Sequence, residues 1–266
     1  MTGGRVTWAR MSALADRLSD RDKEIVNALH QARVLTGQQL ERLIFSNHPI
    51  ANRAHIRRRV LNRLSHLDLI STLDRRIGGV RAGSSGLIYV LGKSGQRMAD
   101  FLNGNTRTSR ARSPHSPGPA FLSHALAVSE ALVSLTEASR RTGALIRTFQ
   151  VEPYCWWPDG LGNWLRPDAF VVIEDDRYEV STWIEIDQGT ESLTRIRNKL
   201  VTFERFGQSG QRPPDGLLPT VVFGSPDLKR TEEISREIVR YASTAMQFES
   251  VPQSQLATYV IGQLHS

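Results

Sequence analysis

A two-domain α/β protein, α+β overall, is the fold class this 266-residue sequence predicts. Three observations carry that prediction. In residues 1–102, three segments with helical apolar spacing precede two short β-type runs around a basic, glycine-rich turn. From 121 to 223 the order is a long apolar helix, three strands, a helix and a strand, αβββαβ. Between them, residues 103–120, NGNTRTSRARSPHSPGPA, show no hydrophobic periodicity and read as a flexible linker. Its Arg107, Arg110 and Arg112 could add nonspecific phosphate contacts.

The N-terminal helices announce themselves by their caps. Ser19 or Asp20 can cap a helix with Ile25, Val26 and Leu29 at helical spacing. Thr36-Gly-Gln-Gln39 is a capping-box pattern and opens a second helix through Leu40, Leu43 and Ile44. Asn52 opens a third, on which Ile56, Val60, Leu64 and Leu67 cluster on one side and His55, Arg58, Arg59 and Asn62 on the other. Two β-type runs follow, Leu69–Leu73 and Leu87–Leu91, with Arg75, Arg76 and Arg81 among the glycines between them. Three helices and a hairpin with a basic tip are the order of a winged helix-turn-helix domain. In that reading the third helix enters the major groove of double-stranded DNA and the wing contacts phosphate or the minor groove. A solvated basic face, or a winged helix that binds protein, is the plainer alternative.

Charge divides along the same boundary. Residues 1–120 carry 20 Lys and Arg against 8 acids, whereas 121–266 carry 14 against 19, within a total of +7. A basic half joined to an acidic one suits a part that docks on a polyanion and a part that does chemistry or holds metal. Cys155 is the sole cysteine, which excludes an intrachain disulfide framework and a Cys-rich zinc site and fits a reducing cytoplasm. No apolar run reads as membrane-spanning and the N-terminus shows no signal-type hydrophobic region, so no membrane partner is expected.

The C-terminal domain opens with FLSHALAVSEALVSLTEASRR, apolar over most of its circumference and therefore largely buried. Glu130 in its middle either pairs with a cation, joins an acidic site or lies on a partly exposed flank. Leu145 to Trp157 reads as a strand. Ala169 to Ile173 and Tyr178 to Asp187 read as a hairpin around Asp175-Asp176, pairing Ile173 with Tyr178. Alternation then projects Asp168, Glu185 and Asp187 from one face, with Asp168 and Glu185 diagonal neighbours. Three carboxylates on one face call for a cation, and oxygen ligands suit Mg²⁺ or Mn²⁺. Thr190 can cap the next helix, whose stripe is Leu193, Ile196, Leu200 and Phe203, with Lys199 beside it. Two acids, a third carboxylate and a nearby Lys are the equipment of a metal-dependent phosphodiesterase. Leu218 to Phe223 reads as a buried strand, Asp227 to Thr244 as an amphipathic helix, and Thr258 to Ile261 as a last weak strand.

This order and motif resemble the PD-(D/E)xK nuclease superfamily: Pro167-Asp168 at one strand, Glu185 at the acidic position of the next, and Glu130 on the first helix. The pairing with a winged helix, and the run Glu185-Ile-Asp187-Gln-Gly189-Thr190-Glu191 followed by Lys199, resemble the replication-relaxation family, bacterial mobile-element proteins described as relaxase-like. The chain departs from the superfamily pattern at Asp187, where a Lys is expected. Some members carry that Lys on the following helix, which nominates Lys199. The resemblance implies a Mg²⁺- or Mn²⁺-dependent nuclease or nickase acting in plasmid or mobile-element replication or transfer, in a bacterial cytoplasm. Asp168, Glu185 and Asp187 would hold the metal, Lys199 would act on water or phosphate, and Glu130 would support the site. Partners implied are double-stranded DNA and other replication or relaxosome proteins; a homodimer is one state left open. The competing expectation is a noncatalytic regulator or relaxosome accessory factor on a degenerate nuclease scaffold.

Overall fold

The computed structural model describes residues 8–76, 86–105, 118–212, 216–243 and 245–265, with the side chains of 74–76 excepted. The chain divides into two compact units, Met1–Ser129 and Glu130–Ser266.

In the first unit α1 (Trp8–Ala15) and α2 (Asp20–Ala32) precede β1 (Leu35–Thr36), α3 (Gly37–Ile44) and α4 (Ile50–His66). A hairpin of β2 (Ile70–Arg76) and β3 (Leu87–Leu91) and a helix α5 (Lys93–Leu102) follow. The strands form an antiparallel sheet in the order β1-β3-β2. The capping box expected at Thr36 forms, and Ser19, one of two expected caps, proves to be part of a second box. Asp22 N donates to Ser19 Oγ and Ser19 N to Asp22 Oδ2; Gln39 N donates to Thr36 Oγ1 and Thr36 N to Gln39 Oε1. Each pairs helix N–H groups that have no intrahelical acceptor. Helix α1 lies ahead of the first helix expected from the sequence; its Trp8 ring packs 5.1 Å from that of Phe101.

The buried side of α4 is rotated from the expected one. Arg57, Val60, Leu61 and Leu64 are buried, Leu67 is exposed and Ile56 only half-buried. The cause is an ion pair: Arg57 NH1 donates to Glu41 on α3, so a charged residue can face inward. His55, Arg58, Arg59 and Asn62 are all exposed.

Helix α6 (Pro119–Thr142) crosses the expected domain start at 121, with its residues through Ser129 counted in the first unit. There Leu122 and Leu126 join Val34, Leu73 and Ile88 in one apolar cluster. Ser129 Oγ donates to Val34 O at 2.7 Å, and Gln39 Nε2 to Leu126 O at 3.1 Å. Contrary to the expectation from sequence, α6 is long and apolar enough, by length and composition, to cross a membrane. Of its apolar stretch 44% is buried within the protein.

The second unit adds β4 (Leu145–Val151), a short pair β5 (Trp157–Pro158) and β6 (Trp164–Leu165), then β7 (Ala169–Glu174) and β8 (Glu179–Ile186). Then come α7 (Leu193–Gln208), β9 (Thr220–Ser225), α8 (Leu228–Tyr241), β10 (Phe248–Pro252), α9 (Gln253–Gly262) and a closing 3-10 turn, Gln263–His265. The main sheet is mixed and five-stranded, ordered β10-β9-β8-β7-β4. β4, β7 and β8 run antiparallel, and β9 and β10 parallel to β8. On one face Phe170, Val172, Trp183, Val221 and Phe223 pack beneath Ile196, Leu200, Phe203 and Phe206 of α7. Burial of such apolar area is the dominant favourable term in folding.

Two expectations are corrected here. Thr258–Ile261 is part of α9, not a strand: Leu256, Ala257, Val260 and Ile261 are buried at helical spacing, and the edge strand lies earlier, in β10. In the β7–β8 hairpin Ile173 pairs with Val180, not Tyr178. Asp175 Oδ1 accepts from the N–H groups of Arg177 and Tyr178, and Asp175 N donates to Tyr178 O. These bonds hold 175–178 together as a longer turn. The register moves by an even step, so no side chain changes face.

Candidate functional site

Ala169 pairs with Ile184, so Asp168 stands opposite Glu185 rather than diagonal to it. Both belong to the sheet face covered by α7, which also carries Phe170 and Trp183. Asp168 is 7% exposed and Glu185 2%. Asp168 Oδ2 accepts from Ile186 N at 2.7 Å, so this carboxylate closes the end of the ladder.

Helix α7 supplies the cation. Ser192 caps it, not the expected Thr190, through a hydrogen bond from Arg195 N to Ser192 Oγ. Ile196, Leu200 and Phe203 point into the core, leaving Lys199 at the core edge. Its Nζ donates to Glu185 Oε2 at 2.8 Å and lies 3.2 Å from Glu191 Oε2. Burial pushes the Glu185 carboxyl above its ordinary range; Lys199 opposes this and Asp168 reinforces it. Burial works against the Lys199 charge, but Glu185 and Asp168 outweigh it and hold the ammonium protonated.

Asp187 is placed differently from the expectation of three converging carboxylates. It is buried, and Arg230 of α8 takes its Oδ2 through Nε. The same guanidinium donates to Glu191 O at 2.7 Å and to Glu233 at 3.1 Å. Asp187 is further held through its backbone, whose N–H donates to Gly224 O and whose carbonyl accepts from Gln253 Nε2. Among the described residues no group of three or more His, Cys, Asp or Glu is arranged to hold a metal ion. What the geometry assembles is an opposed acid pair with a lysine across it. A salt-bridged Asp187 and Glu191 lie beside them.

Glu130 lies half-buried on α6. Cys155 is buried, its thiol donating to Pro167 O at 3.0 Å and pushed above its ordinary range by burial. That ties the chain at the entrance to Asp168. Arg230 was missed by sequence reasoning, and no local spacing could have found it: it lies on a different helix, far along the chain from Asp187. Glu191 stood in the quoted run without a role.

In the first unit the exposed side of α4 presents His55, Arg58, Arg59 and Asn62. Arg75 and Arg76 lie at the end of β2, with only their backbone described, and Arg81 lies outside the described residues.

No curated protein matches the chain. Among solved structures, that of the restriction endonuclease FokI is similar at 10% identity and a TM-score of 0.26, over 84% of this chain and 62% of FokI's. This chain therefore spans less than two thirds of the FokI chain, and at that score the likeness carries no argument. A family model described as replication-relaxation matches residues 26–221, from within α2 into β9 and across both units. With most of its length matched, this chain belongs to the replication-relaxation family.

Proposed function

We propose that this chain binds DNA through its first unit and hydrolyses a phosphodiester bond with its second, in plasmid or mobile-element replication or transfer in the bacterial cytoplasm. The observation that carries the reading is Lys199 Nζ 2.8 Å from Glu185, on the face where Asp168 stands opposite. Buried acids crowded this way are costly unless a cation shares them. Asp168 and Glu185 fit a hard divalent ion such as Mg²⁺ or Mn²⁺ by donor chemistry, and Asp187 fits less well because Arg230 holds its Oδ2. Such an ion, when bound, would supply Lewis-acid activation of phosphate and water.

Lys199 would orient the attacking water or offset charge gathering on the phosphate, a role a point-charge ammonium performs well. Water is the nucleophile in this reading, and Glu130 would support the site. In the first unit we read α3, α4 and the β2–β3 hairpin as a winged helix-turn-helix. Its exposed Arg58 and Arg59 would neutralise phosphates of duplex DNA.

Supercoiled plasmid with Mg²⁺ or Mn²⁺ tests the chemistry: the wild type should give nicked or linear product and Glu185→Gln none. Arg58→Ala with Arg59→Ala should flatten the salt dependence of duplex binding by about one log–log unit per lost contact. A wild-type salt slope in that variant would overturn the docking model. One observation favours a second reading, a noncatalytic DNA-binding accessory factor: Arg230 occupies Asp187, and no three-ligand group is formed among the described residues. Absence of both divalent binding and cleavage by the wild type would leave that reading standing.

A further inference from the structure

Helix α7 has a second, exposed face beside the acid cluster, joined to it where Arg195 Nε lies 3.4 Å from Glu191 Oε1. Arg195, Asn198, Thr202, Arg205 and Ser209 recur at helical spacing and are exposed. No acid interrupts the row. Glu204, the one carboxylate on the helix, is buried and accepts hydrogen bonds from Ser243. This face begins at Arg195, passes beside Lys199 and runs about 15 Å along the helix to Arg205. It ends at a cavity of about 280 Å³, where Thr202, Arg205 and Ser209 face Asp159, Asn163 and Trp164, with Leu161, Leu165 and Phe206 also lining it.

The opposite wall is built in advance. Trp164 is 50% exposed yet held in the β5–β6 pair opposite Pro158. In the loop between these strands Asp159 Oδ1 accepts from Leu161 N at 2.8 Å and Asn163 N at 2.9 Å, which occupies that carboxylate. Gly160 and Gly162 take φ of 75° and 93°, a conformation that suits glycine, so the loop sequence is matched to this shape. Beyond it, Arg166 lies with its guanidinium 4.6 Å from the Trp156 ring, two residues before Asp168.

We infer that the second unit takes a single-stranded stretch of nucleic acid along this face of α7, with one unstacked base in the cavity against Trp164. One aromatic wall, one amide, two hydroxyls and an arginine at the rim suit a flat base with its phosphate, and the Asp159 carboxylate on the same lining is taken up by the N–H groups of its own loop. The cavity is far too small for a duplex, whose bases are stacked out of reach. Thr202 and Arg205 follow Lys199 on the same helix, so a strand seated here places a neighbouring phosphate at the acid pair. The inference rests on the phosphodiesterase reading for its purpose, and not for its test.

The test uses the full chain, a short labelled oligothymidylate and excess unlabelled duplex to occupy the first unit, read by fluorescence anisotropy. Trp164→Ala should weaken single-strand binding about five- to a hundredfold, the loss of one stacked base, and Trp164→Phe should restore most of it. Arg205→Ala, an exposed change that leaves the core intact, should lower the log–log salt slope by about 0.7. Duplex binding should be unaffected in all three. Wild-type single-strand affinity in Trp164→Ala, or an unchanged slope in Arg205→Ala, would overturn the inference even if the wild type cleaves plasmid. Trp164-dependent single-strand binding by a wild type that cuts nothing would support it and remove the phosphodiesterase reading instead.

Discussion

Two buried carboxylates in this protein are handled in opposite ways. Asp22 in the first unit is 1% exposed, accepts from Ser19 N and Ser19 Oγ, and takes Arg63 as its counter-ion. Burial opposes its charge, but those bonds prevail and hold it below the ordinary carboxylate range. Glu185 in the second unit is as deeply buried and has a lysine of its own, yet is pushed upward because burial and Asp168 together outweigh Lys199. A carboxylate whose acceptors are matched to donors serves the fold. One left in excess of its partners stores unfavourable electrostatics, the usual mark of a working site.

The largest expected stability effect falls on the matched acid. Asp22→Ala removes a cap and a charge-assisted pair, and should cost about 2–3 kcal/mol in denaturant unfolding. Because Arg63 is half exposed, water can take over part of its partner's role, so a larger loss would mean Asp22 does more than the bonds described. A cost under about 0.5 kcal/mol would erase the contrast.

Next in size is the pH dependence, which should have opposite signs in the two units. For Asp22 the folded group is the stronger acid, so its contribution is present above the unfolded pKa and lost as pH falls through the lowered folded value. For Glu185 the folded group is the weaker acid, so stability falls as pH rises from the ordinary carboxylate range to about 8. Amide exchange can follow this separately, at Leu29 for the first unit and Trp183 for the second. Parallel slopes would contradict the comparison.

The smallest effect should be Glu185→Gln in metal-free buffer, within about 1 kcal/mol of wild type, because relief of crowding offsets the lost ion pair. A loss as large as that of Asp22→Ala would make Glu185 a structural acid.

What could be read from the sequence was local. The capping box at Thr36 lies within one helical turn and was legible for that reason, as was a cap at Ser19 or Asp20, though not the box that Asp22 completes. The common face of Asp168 and Glu185 was legible because strand alternation survives an even shift of register. The register itself was not, since the Asp175 side chain decides the turn length through bonds to Arg177 and Tyr178. Thr258–Ile261 misled because Thr, Tyr, Val and Ile favour strands in isolation, whereas the burial of Leu256, Ala257, Val260 and Ile261 is a tertiary fact. Lys199 could be nominated from a resemblance, but that it reaches Glu185 depends on how α7 seats its Ile196–Leu200 stripe. Arg230 and Arg57 depend on partners brought near only by the fold.

The central claim is that Lys199 belongs to the chemistry rather than to the fold. Lys199→Ala measured for divalent-ion binding by calorimetry, and for cleavage of supercoiled plasmid in the same buffer, tests it most directly. The account predicts divalent affinity close to wild type and cleavage reduced by about a hundredfold or more, because the loss falls on the transition state. Cleavage by Lys199→Ala at the wild-type rate would contradict it.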